Sequence, residues 1–368
     1  MDWQNQLRQS ICTVDQLKPF TDISSSQERQ WRHIIAKYPM RITPYYLSLI
    51  DWDDPEDPIR RMVLPEAGEM DISGSYDTSG ELQSTRMPGL QHKYAQTALI
   101  LTTNRCAVYC RYCFRKRLVG RPTEEVLTRF REAARYIEQH REITNVLLSG
   151  GDPLILPTRV IERFLERLSA IAHLRYIRIG SRLPLTFPVR LLEDRDLINV
   201  LRKYARKPKQ LHLVAQFNHP REITKRSSDA VATLLTAGIP VSNQAILLKG
   251  VNDDPETLAE LHTRLVGIGV LPYYLFQCRP VRRVKRRYQV PIARGAEIVE
   301  QARRKLDGIS KRFRYVMSHK SGKVEILGVD GDKVYMKYHQ ARDPANLGRF
   351  VVRKLDPDAG WLDDLPRM

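Results

Sequence analysis

Long apolar runs are missing from this sequence. No window reaches the roughly 18 consecutive apolar residues that a membrane span requires. The opening Met1-Asp2-Trp3-Gln4 has neither the basic start nor the unbroken apolar stretch of a secretory leader. These features lead to the expectation of a cytoplasmic protein with no membrane attachment. Cysteine is scarce as well, five in 368 residues, and an odd count in a reducing compartment argues against a disulfide framework. Glycine and proline, 19 and 22 residues, are spread along the chain without a fixed repeat or a low-complexity tract. The fold must therefore be read from pattern.

Negative charge is also in short supply. With 60 basic against 42 acidic residues the formal charge is +18, which bears on partners and solubility rather than on fold. Much of the excess is arginine scattered over helical segments such as 158–167 and 301–314. The plain reading is a solvated cationic surface, with nucleic acid or an acidic protein as the alternative partner. A content of 42% apolar side chains is enough for one large core with appendages or for two ordinary domains.

Residues 1–95 combine a helical start with the Pro- and Asp-rich stretch Asp51 to Pro58, which breaks any long element. They read as an N-terminal extension. From residue 96 the pattern changes. Short apolar runs at Thr97–Thr103, Asn145–Leu148, Tyr176–Gly180, Leu211–Gln216, Val241–Leu248 and Tyr273–Gln277 read as buried parallel strands, and amphipathic segments separate them. That alternation predicts an α/β architecture over 96–290, either barrel-like or open and doubly wound, with ligands at the C-terminal strand ends. Over 291–368 a helix is followed by alternating runs at Tyr315–Ser318, Lys323–Ile326 and Lys333–Tyr338, with turn residues between them. They predict a small C-terminal β-meander.

Three of the five cysteines fall in Cys106-Ala107-Val108-Tyr109-Cys110-Arg111-Tyr112-Cys113, just past the first predicted strand. Three thiolates at this spacing can hold three irons of a four-iron cluster and leave the fourth open for a ligand. A structural zinc site would want a second pair of ligands, and the sequence has none in a ligand-like spacing. After the second predicted strand comes Gly150-Gly151-Asp152-Pro153, a glycine turn suited to receive a ligand amino group.

Together these pieces resemble the radical S-adenosylmethionine (SAM) superfamily, and residues 31–345 resemble the lysine 2,3-aminomutase family. The matching segments include Ile42-Thr43-Pro44-Tyr45-Tyr46-Leu47, Pro88-Gly89-Leu90 before His92-Lys93-Tyr94, and the cysteine motif. Further along come Leu148-Ser149-Gly150-Gly151-Asp152, Gln216-Phe217-Asn218-His219-Pro220, Asn243-Gln244 and Pro272-Tyr273-Tyr274-Leu275-Phe276-Gln277-Cys278. The resemblance implies a partial (β/α)6 barrel in which Cys106, Cys110 and Cys113 carry a [4Fe–4S] cluster. SAM would sit on the open iron and be cleaved, by one electron, to methionine and a 5′-deoxyadenosyl radical. An electron donor such as flavodoxin or ferredoxin, a small-molecule substrate and a homo-oligomer are implied with it. By the same resemblance the turn Gly150, Gly151 and Asp152 holds the methionyl amino group, and Gln216 and Gln244 contact SAM or a second cofactor. Arg115 grips a substrate α-carboxylate.

The family's lysine enzymes also use pyridoxal phosphate (PLP), held by a lysine in a glycine-rich loop before the C-terminal strands. Here that loop is missing, because Asp307-Gly308-Ile309-Ser310-Lys311 leads almost directly into Tyr315. Lys311, Lys320 and Lys323 are the candidate replacements, although each also reads as an ordinary hairpin or surface lysine. Tyr94 matches the aromatic beside the PLP ring and Lys93 stands where the family has a phosphate-binding arginine, while Thr97 replaces another. Use of PLP stays open. After Cys278 the lysine enzymes carry an acidic residue, and this chain has Arg279, which would repel a substrate ammonium and bind a carboxylate or phosphate. Two functions remain. One is an aminomutase-type isomerase acting on an amino acid or related acidic metabolite other than free lysine. The other is PLP-independent hydrogen abstraction leading to dehydrogenation, epimerisation or modification of a macromolecule. The histidines receive no catalytic role, although His219 is placed near SAM.

Overall fold

The computed structural model describes residues 3–205 and 209–366. Among them twelve strands form one sheet whose spatial order follows the chain. They are β1 (Thr85–Met87), β2 (Leu90–Tyr94), β3 (Thr97–Thr103), β4 (Asn145–Gly150), β5 (Tyr176–Gly180) and β6 (Gln210–Ala215), then β7 (Val241–Leu247), β8 (Leu271–Gln277), β9 (Arg314–His319), β10 (Gly322–Asp330), β11 (Lys333–Ala341) and β12 (Phe350–Lys354). The first three pair antiparallel, β3 to β9 pair in parallel, and β9 to β12 return to antiparallel pairing. The result is a mixed α/β fold built on a partial barrel. All six strands expected from the sequence are present as β3 to β8.

The parallel strands are buried because helices cover their outer face. The helix Thr158–Ser169 shows how the sequence does this. It turns Ile161, Phe164, Leu165 and Leu168, spaced by three and four residues, into the core. Arg195–Ala205 repeats the pattern with Leu197, Ile198 and Leu201.

One strand departs from expectation. Tyr315–Ser318 reads as the alternating edge of a meander, yet β9 is buried throughout except at Arg314. It lies parallel to β8, with Tyr274 opposite Arg314 and Phe276 opposite Val316, and antiparallel to β10. Paired on both edges, it is a seventh parallel strand as well as the first strand of the meander. The sheet is therefore continuous through residues 95 and 290.

The N-terminal helices Ser25–Lys37, Pro44–Leu47 and Pro58–Val63 start at Ser24, Thr43 and Asp57, whose side chains accept the third following backbone N–H. Asp57 shows what the acidic, proline-rich stretch does: it ends one segment and caps the next. These helices bind the loop after β3 at the C-terminal end of the barrel, where Tyr109 N donates to Arg41 O at 2.9 Å and Arg111 N to Met62 O at 2.8 Å. None of the described helices is long and apolar enough to cross a membrane.

Candidate active site

The parallel strand ends surround a cavity of about 310 Å3, within the roughly 300–1,000 Å3 range of small-molecule sites. Cys106, Cys110 and Cys113 line it, together with Gly150, Gly151, Asp152, Gln216, Gln244, Tyr94, Lys93, Arg115 and Arg279. These twelve residues, expected at the site from the sequence, thus reach one space. His219 does not line it. Its ring caps the short helix Pro220–Glu222 by accepting from Arg221 N.

The cysteine loop is anchored from behind by a buried carboxylate. Glu69, fully shielded, takes Arg111 Nε at 2.8 Å and Lys116 Nζ at 2.5 Å. Burial alone would raise its pKa, but Arg111, Lys116 and Arg287 outweigh it and hold Glu69 at about 2. Lys116 also donates to Arg111 O at 2.8 Å, closing the loop on itself.

The glycine turn meets this loop through its backbone. Gly151 N donates to Thr103 O at 2.6 Å and Asp152 N to Arg105 O at 2.8 Å. Gly150 has a φ of 123°, and a Cβ there would lie 2.3 Å from Thr103 O; only glycine fits. The Asp152 carboxylate lines the cavity but is taken up by hydrogen bonds within the protein. It accepts from Ser181 Oγ at 2.7 Å, Arg182 N at 2.8 Å and Leu154 N at 3.1 Å. Asp152 therefore fixes the turn, whose Gly150 carbonyl accepts from Arg115 Nη1 at 3.3 Å and keeps a second lone pair for a ligand.

Burial pushes the Cys106 thiol well above the usual range and Cys113 up to about 11, and the neighbouring sulfurs add to both shifts. Buried thiols that oppose one another's ionisation become thiolates when a polycation sits among them. Arg182 donates to Cys110 Sγ and pairs with Glu222 at 2.5 Å. Among the described residues no three His, Cys, Asp or Glu side chains converge where one ion would sit. A cluster makes a different demand, because each thiolate binds a different iron instead of all lying about 2.3 Å from one ion. The donor set fits a [4Fe–4S] cluster with one open iron.

Comparison with known proteins places this arrangement. The model of the Radical SAM superfamily matches residues 100–262, from within β3 to the helix before β8. A protein of Aquifex aeolicus (strain VF5), provisionally named L-lysine 2,3-aminomutase, is 44% identical over 349 residues, 95% of this chain and 93% of that protein. The L-lysine 2,3-aminomutase of Clostridium subterminale is 38% identical over 82% of this chain and 72% of its own length. The chain belongs to the lysine 2,3-aminomutase family. Glutamate 2,3-aminomutase of Clostridioides difficile (strain 630) is a further relative, 34% identical over 87% of this chain and 76% of its own length. This family member is a radical SAM enzyme, and membership implies the [4Fe–4S] cluster and SAM.

The cavity also holds features that the sequence left hidden. Arg115 forms an ion pair with Glu81 at 3.2 Å and donates to Ser149 Oγ at 2.9 Å. Glu81 is buried and also pairs with Arg117. Burial raises its pKa, but Arg115 and Arg117 prevail and hold it at about 2. Lys93 Nζ donates to the carbonyls of Ser79 at 2.8 Å and His319 at 2.5 Å. Burial, followed by the charge of Arg279, lowers its pKa to about 7. Tyr94 OH is buried without a hydrogen-bond partner, and so is Arg178 Nε. Both residues line the cavity, and orphaned polar atoms facing one space call for a ligand.

The three candidate lysines separate cleanly. Lys311 is exposed beyond the last long helix, and Lys320 is exposed and pairs with Asp363 at 3.1 Å. Lys323, at the start of β10, lines the cavity with its Nζ 4.4 Å from the centroid of the Tyr274 ring. It has no hydrogen-bond or ion-pair partner among the described residues. Burial, with Arg178, Arg279 and Lys93 nearby, lowers its pKa to about 7. A neutral amine, an orphaned tyrosine hydroxyl and surplus cations fit PLP. Arg178 and Glu81 were missed because β5 and the short helix Glu81–Ser84 carry no motif; the one available signal is the rule that barrel interiors and strand ends face ligands.

Proposed function

We propose that this protein is an aminomutase-type isomerase acting on an amino acid or related acidic metabolite other than free lysine. In this reading PLP is held covalently by Lys323. The amino group of the substrate moves to the neighbouring carbon as a hydrogen moves the other way, so no net oxidation occurs. When bound, the cluster and SAM supply the radical that removes the hydrogen and PLP carries the migrating nitrogen. The electron comes from a donor such as flavodoxin or ferredoxin.

The observation that carries the reading is Lys323 itself, an unpartnered amine inside the cavity, close to Tyr274 and on the same lining as Tyr94 and the cysteine loop. A lysine with a lowered pKa is the form that attacks a carbonyl carbon. Around it the protein's own groups orient and shield. The Gly150–Gly151 backbone offers carbonyls to the amino group of SAM, and Arg115 is held by Glu81 and Ser149 where an α-carboxylate would approach. Tyr94, whose buried hydroxyl lacks a hydrogen-bond partner, would pack beside the cofactor ring.

The test is anaerobic incubation of the iron- and sulfide-reconstituted protein with SAM, PLP, a one-electron reductant and a panel of amino acids. The expected product is a β-amino isomer of unchanged mass, formed in excess over the SAM consumed because the abstracted hydrogen is returned. SAM cleavage with a product of altered mass, or turnover without PLP, would replace this reading by PLP-independent hydrogen abstraction.

A further inference from the structure

The cysteine loop borders two spaces. Cys110 and Cys113 line the large cavity, and both also line a second, narrow crevice of about 20 Å3. Its other walls are Tyr38, Pro39, Tyr109 and Val119, with Arg111 and Lys116, the residues that tie the loop to Glu69 from behind. Pro39, Tyr109 and the neighbouring Gly120 are only half-buried. A Cβ on Gly120 would lie 2.8 Å from the rings of both Pro39 and Tyr109, so glycine is what lets these rings close the crevice. A single layer of side chains therefore stands between two of the cysteine sulfurs and solvent.

Guanidiniums from separate parts of the chain gather over this layer. Arg41, past the helix Ser25–Lys37, has its guanidinium carbon 5.9 Å from the centroid of the Tyr109 ring. That of Arg121, next to Gly120, lies 5.5 Å from the Tyr38 ring. Arg282, after β8, lies 5.5 Å from the ring of Tyr76, whose hydroxyl is hydrogen-bonded to that of Tyr38. Arg105, exposed, directly precedes Cys106. Asn104 joins this rim to the loop entry: its Nδ2 donates to Arg121 O at 2.6 Å and its carbonyl accepts from Gly120 N at 2.7 Å. None of these four arginines has a carboxylate partner among the described residues. The carboxylates closest to the loop are engaged elsewhere, Glu69 with Arg111 and Lys116 and Glu125 with Arg117. Like charge gathered on one face repels itself, and it steers a partner of the opposite charge.

We propose that this face is the electron-entry surface of the enzyme, and that its partner is a small acidic protein carrying a one-electron centre. The partner's negative surface meets Arg41, Arg105, Arg121 and Arg282, and its redox centre comes to rest against Tyr109 and Pro39, over Cys110 and Cys113. One electron leaves the reduced carrier and enters the oxidised cluster, so the carrier is oxidised by one and the cluster reduced by one, and no bond forms or breaks. SAM and substrate need the cavity side of the loop, which leaves the crevice side to a protein donor. Encounters between electron carriers are small in area and draw much of their rate from charge. A nucleic acid would meet the same cations but no open aromatic face to stack on, because Tyr38 is buried and Tyr109 half-buried. The proposal rests on the cluster and not on PLP or the substrate, so the aminomutase reading can fail without it.

The experiment mixes the anaerobically reconstituted, SAM-loaded protein, without PLP or substrate, with reduced flavodoxin and follows the loss of cluster absorbance by stopped flow. The double variant Arg41→Glu, Arg121→Glu should be reduced at least roughly tenfold more slowly at low salt. Reduced methyl viologen, a small cation that needs no docking face, should reduce both proteins at the same rate, which shows that the variant's cluster is intact. Arg159→Glu, Arg163→Glu changes the net charge equally on the exposed side of the outer helix Thr158–Ser169 and should leave the flavodoxin rate unchanged. In the unaltered protein that rate should fall as salt rises from about 0.05 to about 0.5 M. Equal slowing in the two double variants, no slowing in the first, or a rate in the unaltered protein that ignores salt would each overturn the proposal. Binding of a single-stranded RNA that is lost in Arg41→Glu, Arg121→Glu while flavodoxin reduction is kept would assign the face to nucleic acid and overturn it as well.

Discussion

A Cβ on Gly151 would lie 2.2 Å from the carbonyl oxygen of Arg105. The glycine turn after β4 is thus seated directly on the backbone that leads into the cysteine loop, and the two share a position no side chain can enter. Gly151→Ala must push the strands apart, at a stability cost of roughly 1–3 kcal/mol. The account predicts a folded protein that holds less iron and sulfide after reconstitution. Metal analysis beside circular dichroism checks it.

The cysteines divide by place. Cys106, Cys110 and Cys113 belong to one loop, whereas Cys278 directly follows β8, buried, with its thiol raised to about 12 by that burial. Replacing any of the first three by alanine should abolish the cluster absorbance and SAM cleavage. Cys278→Ala should leave both in place, and 5′-deoxyadenosine release is the measurement.

Glu69 offers a stability test independent of cofactors. With its carboxyl held at about 2 against an ordinary 4.5, its contribution is fully present above pH 4.5 and is lost as pH falls toward 2. Glu69→Gln leaves Arg111 and Lys116 buried without their counter-charge and should cost about 3–5 kcal/mol. Chemical denaturation at neutral pH should show the full loss, and the gap from the unaltered protein should narrow in acid.

Lys323 should titrate far below a surface lysine. Arg178 on β5, Arg279 after β8, Lys93 on β2 and His339 on β11 are the charged or titratable groups near it, and the Tyr274 ring lies beneath it. The shift is downward, to about 7 from 10.5, so the neutral amine dominates above pH 7. Competitive amine labelling read by peptide mass should give Lys323 a midpoint near 7, whereas exposed Lys320 should still be largely unlabelled at that pH.

The parallel strands could be read from sequence because helices cover one face and the other turns into the barrel, so each appears as a short, mainly apolar run. Thr97–Thr103 and Tyr176–Gly180 fall where the runs placed them. The cysteine loop and glycine turn were legible because their chemistry demands those residues at those spacings. Lys323 was one of three candidate lysines that the sequence could not tell apart, for a physical reason. Along β10 residues alternate, with Val324 and Ile326 buried and Lys323 and Glu325 half-buried. In a meander the polar face ordinarily meets water. Here the helix Ile292–Arg304 packs on β10, and Lys323 points toward Tyr274 and Phe276 inside the barrel. The pairing of Glu81 with Arg115 spans 34 residues and has no local signature.

The most direct measurement of the central claim is borohydride trapping. The anaerobically reconstituted protein is incubated with PLP and SAM, reduced, digested and searched by peptide mass for a pyridoxyl group. The account predicts one modified lysine, Lys323, and loss of the adduct in Lys323→Ala with the cluster spectrum unchanged. An adduct on Lys311, Lys320 or another lysine, or none while SAM is still cleaved, would contradict it.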